Sequence, residues 1–199
     1  MSVTSVVDQL DALVVETGGI LRTRDAQGIA SRPTISRYVK QRGLQRLSAG
    51  VYVTPDAWLD EMWLLSLRIG DGVFSHHSAL YLLDFTDREP AQLTLTVPSG
   101  YNATTLNKEG IKTYFIRRDL ISLGKMSVNT YDGHPVACYD LERTVCDIYR
   151  SRADFEPSLV ISVLQSYVRN RNRNLTRLAQ YSQKLGVSRR LMEDIEVLL

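Results

Sequence analysis

Arg22, Arg24, Arg32, Arg37, Lys40, Arg42 and Arg46 place seven positive charges in a stretch whose one acid is Asp25. Side chains of this kind do the chemistry of polyanions. Either cation neutralises phosphate, and a guanidinium can also read a guanine edge through paired hydrogen bonds. Other candidate chemistry is thinner. His76 and His77 follow Ser75, but no third ligand follows at matching spacing, and His134 falls in a distant turn. Adjacent histidines on a helix project about 100° apart, so both do not readily face one metal. Their expected role is structural, with Ser75 capping a helix and a histidine satisfying a nearby carbonyl.

Asp140, Glu142 and Asp147 with Arg143 could suggest a nuclease-like acidic cluster. Glu142 and Asp147 are five apart and do not share a helix face, whereas Arg143 and Asp147 are i, i+4 partners. No Asp…Glu-x-Lys arrangement on paired strands accompanies them. A helix cap plus a surface ion pair is the simpler expectation. Pro98-Ser99-Gly100-Tyr101 reads as a turn after a strand rather than a phosphate-cradling loop. Catalytic residues, a metal and a cofactor are therefore not expected.

The elements that must position the basic residues follow from local pattern. Val3, Val6, Val7, Leu10, Leu13 and Val14 recur at helical spacing, predicting an amphipathic helix over 3–16 that Gly18-Gly19 stops. Thr23 is expected to cap a short helix through Gln27 that ends at Gly28. Ser31 caps a third helix, with Pro33 in its first turn and Gly43 closing it. On a wheel, Ile35 and Val39 share one face, Tyr38 and Arg42 lie at its margin, and Arg37 points away, flanked by Pro33, Thr34, Lys40 and Gln41. Leu44 to Thr54 then reads as a hairpin through Ser48-Ala49-Gly50.

This order is that of a winged helix-turn-helix in which a basic helix enters a DNA groove. Thr34, Arg37, Lys40 and Gln41 are expected to read bases, and Arg32, Arg42, Arg46 and Ser48 to hold phosphate. Ser36 completes the DNA-facing set. An ordinary solvated helix beside a hairpin that caps the core accounts for Leu47, Val51 and Val53 but not for Arg46.

Thr54-Pro55-Asp56 marks the expected boundary, with a DNA-binding domain over 1–54 and a second domain over 55–199. Helices are predicted over 58–70, 76–83 and 141–149, the last capped by Asp140. Strands are predicted over 92–97 and 112–117, and a long-turned hairpin over 126–130 and 136–139. Helices over 157–169, 174–185 and 188–198 follow. The fold class is thus α+β, with a helical carboxy-terminal region.

The formal charge of +2 at pH 7 conceals a strong asymmetry, net +3 over 1–54, −5 over 55–168 and +4 over 169–199. Nucleic-acid contact is therefore expected at the two ends. Arg169, Arg171 and Arg173, with Arg177, Lys184, Arg189 and Arg190, form a second basic segment that reads either as a solvated linker or as a flanking contact. Two cysteines, Cys138 and Cys146, carry no metal-type spacing and read as reduced thiols. The first residues lack a secretion signal, and no apolar run reaches membrane-spanning length. A cytoplasmic location without a membrane partner is the expectation.

Ser31 to Tyr52, with Arg42-Gly43-Leu44, Arg46-Leu47 and Gly50-Val51-Tyr52, resembles the winged helix of AbiEi-type antitoxins. Phe74-Ser75-His76-His77-Ser78-Ala79-Leu80, Leu93-Thr94-Leu95-Thr96-Val97-Pro98 and Glu142-Arg143-Thr144-Val145-Cys146-Asp147 match the same family in order and spacing, over about residues 18–150. The resemblance implies a type IV toxin–antitoxin component of a bacterial abortive-infection operon active in phage defence. It implies a repressor that binds inverted repeats in its own promoter through the winged helix. It also implies a carboxy-terminal region that counters a nucleotidyltransferase-like toxin without a stable complex. Nothing encodes a coiled-coil seam, so a monomer that fills the repeats cooperatively is expected. The alternatives are a protein-interaction module without DNA binding and a metal-dependent nuclease.

Overall fold

The computed structural model describes residues 5–57 and 60–199. Val3, Trp58 and Leu59, which begin two of the expected helices, lie outside the described residues. The architecture is α+β, and the chain divides into two compact units, Met1–Leu59 and Asp60–Leu199. The division falls just after the expected boundary at Thr54-Pro55-Asp56.

In the first unit, α1 (Val6–Glu16) begins at a capping box. The Ser5 hydroxyl accepts from the Asp8 N–H at 3.1 Å, and the Asp8 carboxylate accepts from the Ser5 N–H at 3.0 Å. Two orphan donors of the first turn are thereby satisfied. Next come β1 (Ile20–Arg22), a 3-10 turn over Asp25–Gly28, α2 (Arg32–Gln41), β2 (Gln45–Ser48) and β3 (Val51–Val53). The sheet order is β1-β3-β2, antiparallel throughout. Leu10 and Val14 of α1, Leu21 of β1, Ala26, Ile35 and Tyr38 of α2 and Leu44 form the core beneath it.

Three local expectations are corrected here. β1 was not foreseen, because Ile20 and Leu21 form too short an apolar run to show a strand period. Thr23 does not cap the following turn. Its N–H and hydroxyl donate to the Gly50 carbonyl at 2.7 and 3.2 Å, tying the hairpin tip to the end of β1. Leu47, which a hairpin that merely caps the core would turn inward, faces outward. The pairing register slips between Arg46 and Ser48, and the bulge leaves Leu47 39% exposed.

The second unit holds a five-stranded sheet of order β6-β5-β4-β8-β7. Its strands are β4 (Val73–Phe74), β5 (Thr94–Pro98), β6 (Lys112–Ile116), β7 (Lys125–Asn129) and β8 (Pro135–Tyr139). β5 and β6 are parallel, so the chain must cross over between them, and it does so through α5 (Thr104–Lys108). Neither β4 nor α5 was expected. At two and five residues, both are too short to carry a periodic signal.

The remaining helices are α3 (Glu61–Ile69), α4 (His76–Leu82), α6 (Leu141–Arg150), α7 (Pro157–Arg169), α8 (Leu175–Lys184) and α9 (Ser188–Leu198). Leu80 of α4, Val145 and Ile148 of α6, Val163, Leu164 and Tyr167 of α7, Leu178 of α8, and Leu191 and Ile195 of α9 share one apolar core. Burial of each such side chain is worth roughly 1.5–3 kcal/mol. α6 lies at the centre of it, with every residue from Glu142 to Tyr149 buried.

Candidate nucleic-acid interface

α2 follows Ser31, whose backbone is extended (φ −70°, ψ 157°), and carries Pro33 in its first turn. The Ser31 side chain makes no capping bond to the helix backbone. Its hydroxyl instead meets that of Thr34 at 3.0 Å. The helix ends where Gly43 adopts a φ of +65°, and the Leu44 N–H returns to the Val39 carbonyl at 3.0 Å. Ile35 and Tyr38 are 2% and 3% exposed and anchor the inner face. The opposite side presents Ser36, Arg37, Lys40 and Gln41 to solvent, with Thr34 half-buried, and Arg32 is exposed in the first turn. Arg37 stands at the centre of that side, without an ion-pair partner among the described residues.

The seven cations of this stretch are not equivalent. Arg22 and Arg24 both pair with Asp25. Arg42 grips Asp11 of α1 through Nε, at 3.0 Å, and through Nη2. Among the described residues, Arg32, Arg37, Lys40 and Arg46 form no ion pair. Arg46 lies on β2, exposed, with Nε directed at the Ser48 carbonyl at 3.4 Å. The cations open to a polyanion therefore number four of the seven, and they are confined to α2 and β2.

Arg42 is expected to hold phosphate; in this structure its guanidinium is engaged by Asp11. The Tyr38 hydroxyl donates to the same Asp11 carboxylate at 2.7 Å. Together the tyrosine bond and the arginine hold the Asp11 carboxyl below its ordinary range, against a weaker opposing effect of burial. Burial and that bond push the Tyr38 phenol up to about 12. A wheel places Tyr38 and Arg42 at the margin of the apolar face but does not show that a carboxylate of α1 waits there.

The second basic segment is also partly committed. Arg177 lies 3.8 Å from Asp140 and 3.6 Å from Glu142, and Arg189 pairs with Glu193 at 3.3 Å. Arg169, Arg171, Lys184 and Arg190 are exposed.

The residues weighed for catalysis have structural surroundings. His76 is fully buried, with Nδ1 at 2.9 Å from the Ser75 hydroxyl and Nε2 at 3.3 Å from that of Ser151. Its ring stacks on Tyr114 at 3.6 Å. Burial, reinforced by nearby Arg150, drives its pKa well down, so the imidazole is neutral. Ser75 makes no capping bond to the α4 backbone, contrary to expectation. Its oxygen accepts instead from Thr96 at 2.9 Å. His77 turns away, half-buried and edge-on to Phe155 at 5.1 Å. Among the described residues no group of three His, Cys, Asp or Glu is arranged to hold a metal ion.

Arg143 and Asp147 are not a surface pair. Both side chains are 0% exposed, joined at 2.9 Å, and Arg150 meets the second Asp147 oxygen at 3.3 Å. Arg143 also donates Nη1 to the Leu120 and Leu123 carbonyls at 3.0 and 2.7 Å and lies over the Tyr139 ring. Asp140 does cap α6, accepting from the Arg143 N–H at 2.8 Å. Cys138 and Cys146 are buried free thiols. Burial raises both, Cys138 to about 12, which removes the thiolate that reactivity requires.

No protein family and no curated protein sequence matches the chain. Among solved structures, the fold is similar to that described as the crystal structure of RV2827C protein from Mycobacterium tuberculosis, with a TM-score of 0.55 and 12% sequence identity. The match covers 94% of this chain and 79% of the other. At that identity the likeness shows a shared mixed helix-and-sheet architecture and nothing of activity. Among the described residues no helix is long and apolar enough to cross a membrane.

Proposed function

We propose that the first unit is a winged helix that binds duplex DNA, with α2 as the groove-facing helix and the β2–β3 hairpin as the wing. The chain would thereby act as an autorepressing antitoxin of the AbiEi type. The observation that carries the DNA-binding part is the outer face of α2. Arg37 and Lys40 stand there exposed, opposite an inner face anchored by Ile35 and Tyr38, and with Arg32 of the first turn they have no carboxylate partners among the described residues. Thr34, Ser36, Arg37, Lys40 and Gln41 would meet base edges, and Arg32, Arg46 and Ser48 the sugar-phosphate backbone. Repression through promoter inverted repeats, cooperative filling by monomers and neutralisation of a nucleotidyltransferase-like toxin rest on the family resemblance of the sequence motifs.

Footprinting on the DNA upstream of the protein's own gene tests the reading. Arg37→Ala should cost roughly 1–3 kcal/mol of discrimination between operator and mutated operator. Arg46→Ala should weaken both alike and lower the salt dependence by about one phosphate. Equal, sequence-independent losses in the two variants would overturn this division of roles. Co-expression with the adjacent gene product tests the second activity. The Arg37→Ala, Lys40→Ala double variant should lose repression yet still relieve toxicity, and loss of relief would refute a separate neutralising region.

A further inference from the structure

We propose that Asp11, on α1, is a specificity-setting positioning residue that keeps Arg42 out of the phosphate-binding set and fixes α2 by accepting from Tyr38. The proposal deepens the DNA-binding reading and rests on it. Its geometry is three bonds onto one carboxylate. The Tyr38 hydroxyl and the Arg42 Nε reach one oxygen, at 2.7 and 3.0 Å, and the Arg42 Nη2 reaches the other. Two oxygens facing a guanidinium fork give the directional pairing that a lone surface charge lacks. Tyr38 is 3% exposed, so the carboxylate is also tied to the core side chain that seats α2. Asp11 is thus an intramolecular stand-in for a phosphate at the carboxy-terminal end of that helix.

The consequence for recognition follows from charge. A cation that meets phosphate strengthens binding to every sequence alike, whereas base contacts favour one. Holding Arg42 on Asp11 removes a sequence-blind contact and leaves the exposed face of α2 to discriminate. The pair remains partly open to solvent, with side-chain exposures of 44% for Arg42 and 36% for Asp11. Removing the acid therefore leaves the guanidinium free to reach a polyanion without repacking the core. Asp11→Asn is the informative change, since its side-chain oxygen still accepts from Tyr38 while its charge is lost.

The test measures binding of the full chain to a random-sequence duplex and its elution from immobilised heparin, both as functions of salt. Asp11→Asn should steepen the logarithmic salt dependence on duplex by about 0.9, so that raising salt from 50 to 200 mM costs it about 3.5-fold more affinity than the wild type. It should also elute from heparin at higher salt. Adding Arg42→Ala to Asp11→Asn should reverse both changes, whereas Arg42→Ala alone should leave the wild-type slope unaltered. A purely structural role for Asp11 would not produce that reversal. An Arg42→Ala slope that falls by about 0.9 would overturn the proposal, as would an Asp11→Asn protein indistinguishable from wild type. If no variant binds duplex, the DNA-binding reading fails, and the heparin shifts still decide whether Asp11 restrains Arg42.

Discussion

α2 and α6 are each ten residues long and each carries charged side chains, yet they treat their charge in opposite ways. α2 buries Ile35 and Tyr38 and shows its cations to solvent. α6 buries Glu142, Arg143 and Asp147 along with its apolar residues. The difference lies in what each charge meets. Arg143 finds Asp147, two carbonyls of the 120–123 segment and the Tyr139 ring, which replace the hydration of Nε and Nη1 and leave only Nη2 without a hydrogen bond among the described residues. Among the described residues Arg37 and Lys40 meet no such partners, and both are exposed. Buried charge costs several kcal/mol per ion unless such partners replace the lost water, so an exposed arginine is available to a ligand and a buried one is a structural commitment.

Breaking the buried pair should produce the largest effect. Arg143→Ala leaves Asp147 with only Arg150 and should destabilise the second unit by roughly 3–5 kcal/mol in denaturant unfolding. A loss under about 1 kcal/mol would mean that α6 is no more committed than α2.

Acid should separate the two regions next. His76 is held well below its ordinary pKa of 6.5 by burial, so the unfolded chain binds more protons as pH falls below that value. Stability is full above pH 6.5 and should fall below it, by up to about 1.4 kcal/mol per pH unit until the folded-state value is reached. His76→Phe should flatten that slope, and an unchanged slope would place the acid sensitivity elsewhere.

Alkali should act on both units, through Tyr38 in the first and through Tyr114 and Tyr149, also raised to about 12, in the second. Tyr38 has its folded pKa raised from 10.0 to about 12, so its contribution is present below pH 10 and lost as pH rises through about 12. Tyr38→Phe should remove that loss. It should also cost about 1 kcal/mol at neutral pH, since Asp11 is solvated enough to weaken the bond. The smallest effect belongs to the outer face of α2. Arg37→Ala and Lys40→Ala should each leave stability within about 0.5 kcal/mol of wild type, whatever they do to DNA binding. A larger loss would show that this face packs against something and is not open to a ligand.

Much of this was legible in the sequence where local rules apply. The helices over 157–169 and 188–198 have the expected limits because their apolar spacing persists over three turns. The basic helix and its hairpin were legible for a similar reason, with Pro33, Gly43 and Gly50 punctuating them. Short elements were not. β1 and β4 exist through their partners, Ile20 opposite Val53 and Phe74 between Leu95 and Cys138, and two or three residues carry no period of their own. Nor was the fate of Arg42 visible, since its partner lies 31 residues earlier on another helix.

The order of residues by itself determined the limits of the longest helices, which side of α2 is apolar, and that positive charge gathers near the amino end. These depend on neighbours within about four positions, where backbone geometry leaves little choice. Only the tertiary structure decided which charges stay in water. That outcome depends on which carboxylate, carbonyl or ring is brought alongside from a distant part of the chain, as Asp11 is to Arg42 and the Leu120 and Leu123 carbonyls are to Arg143.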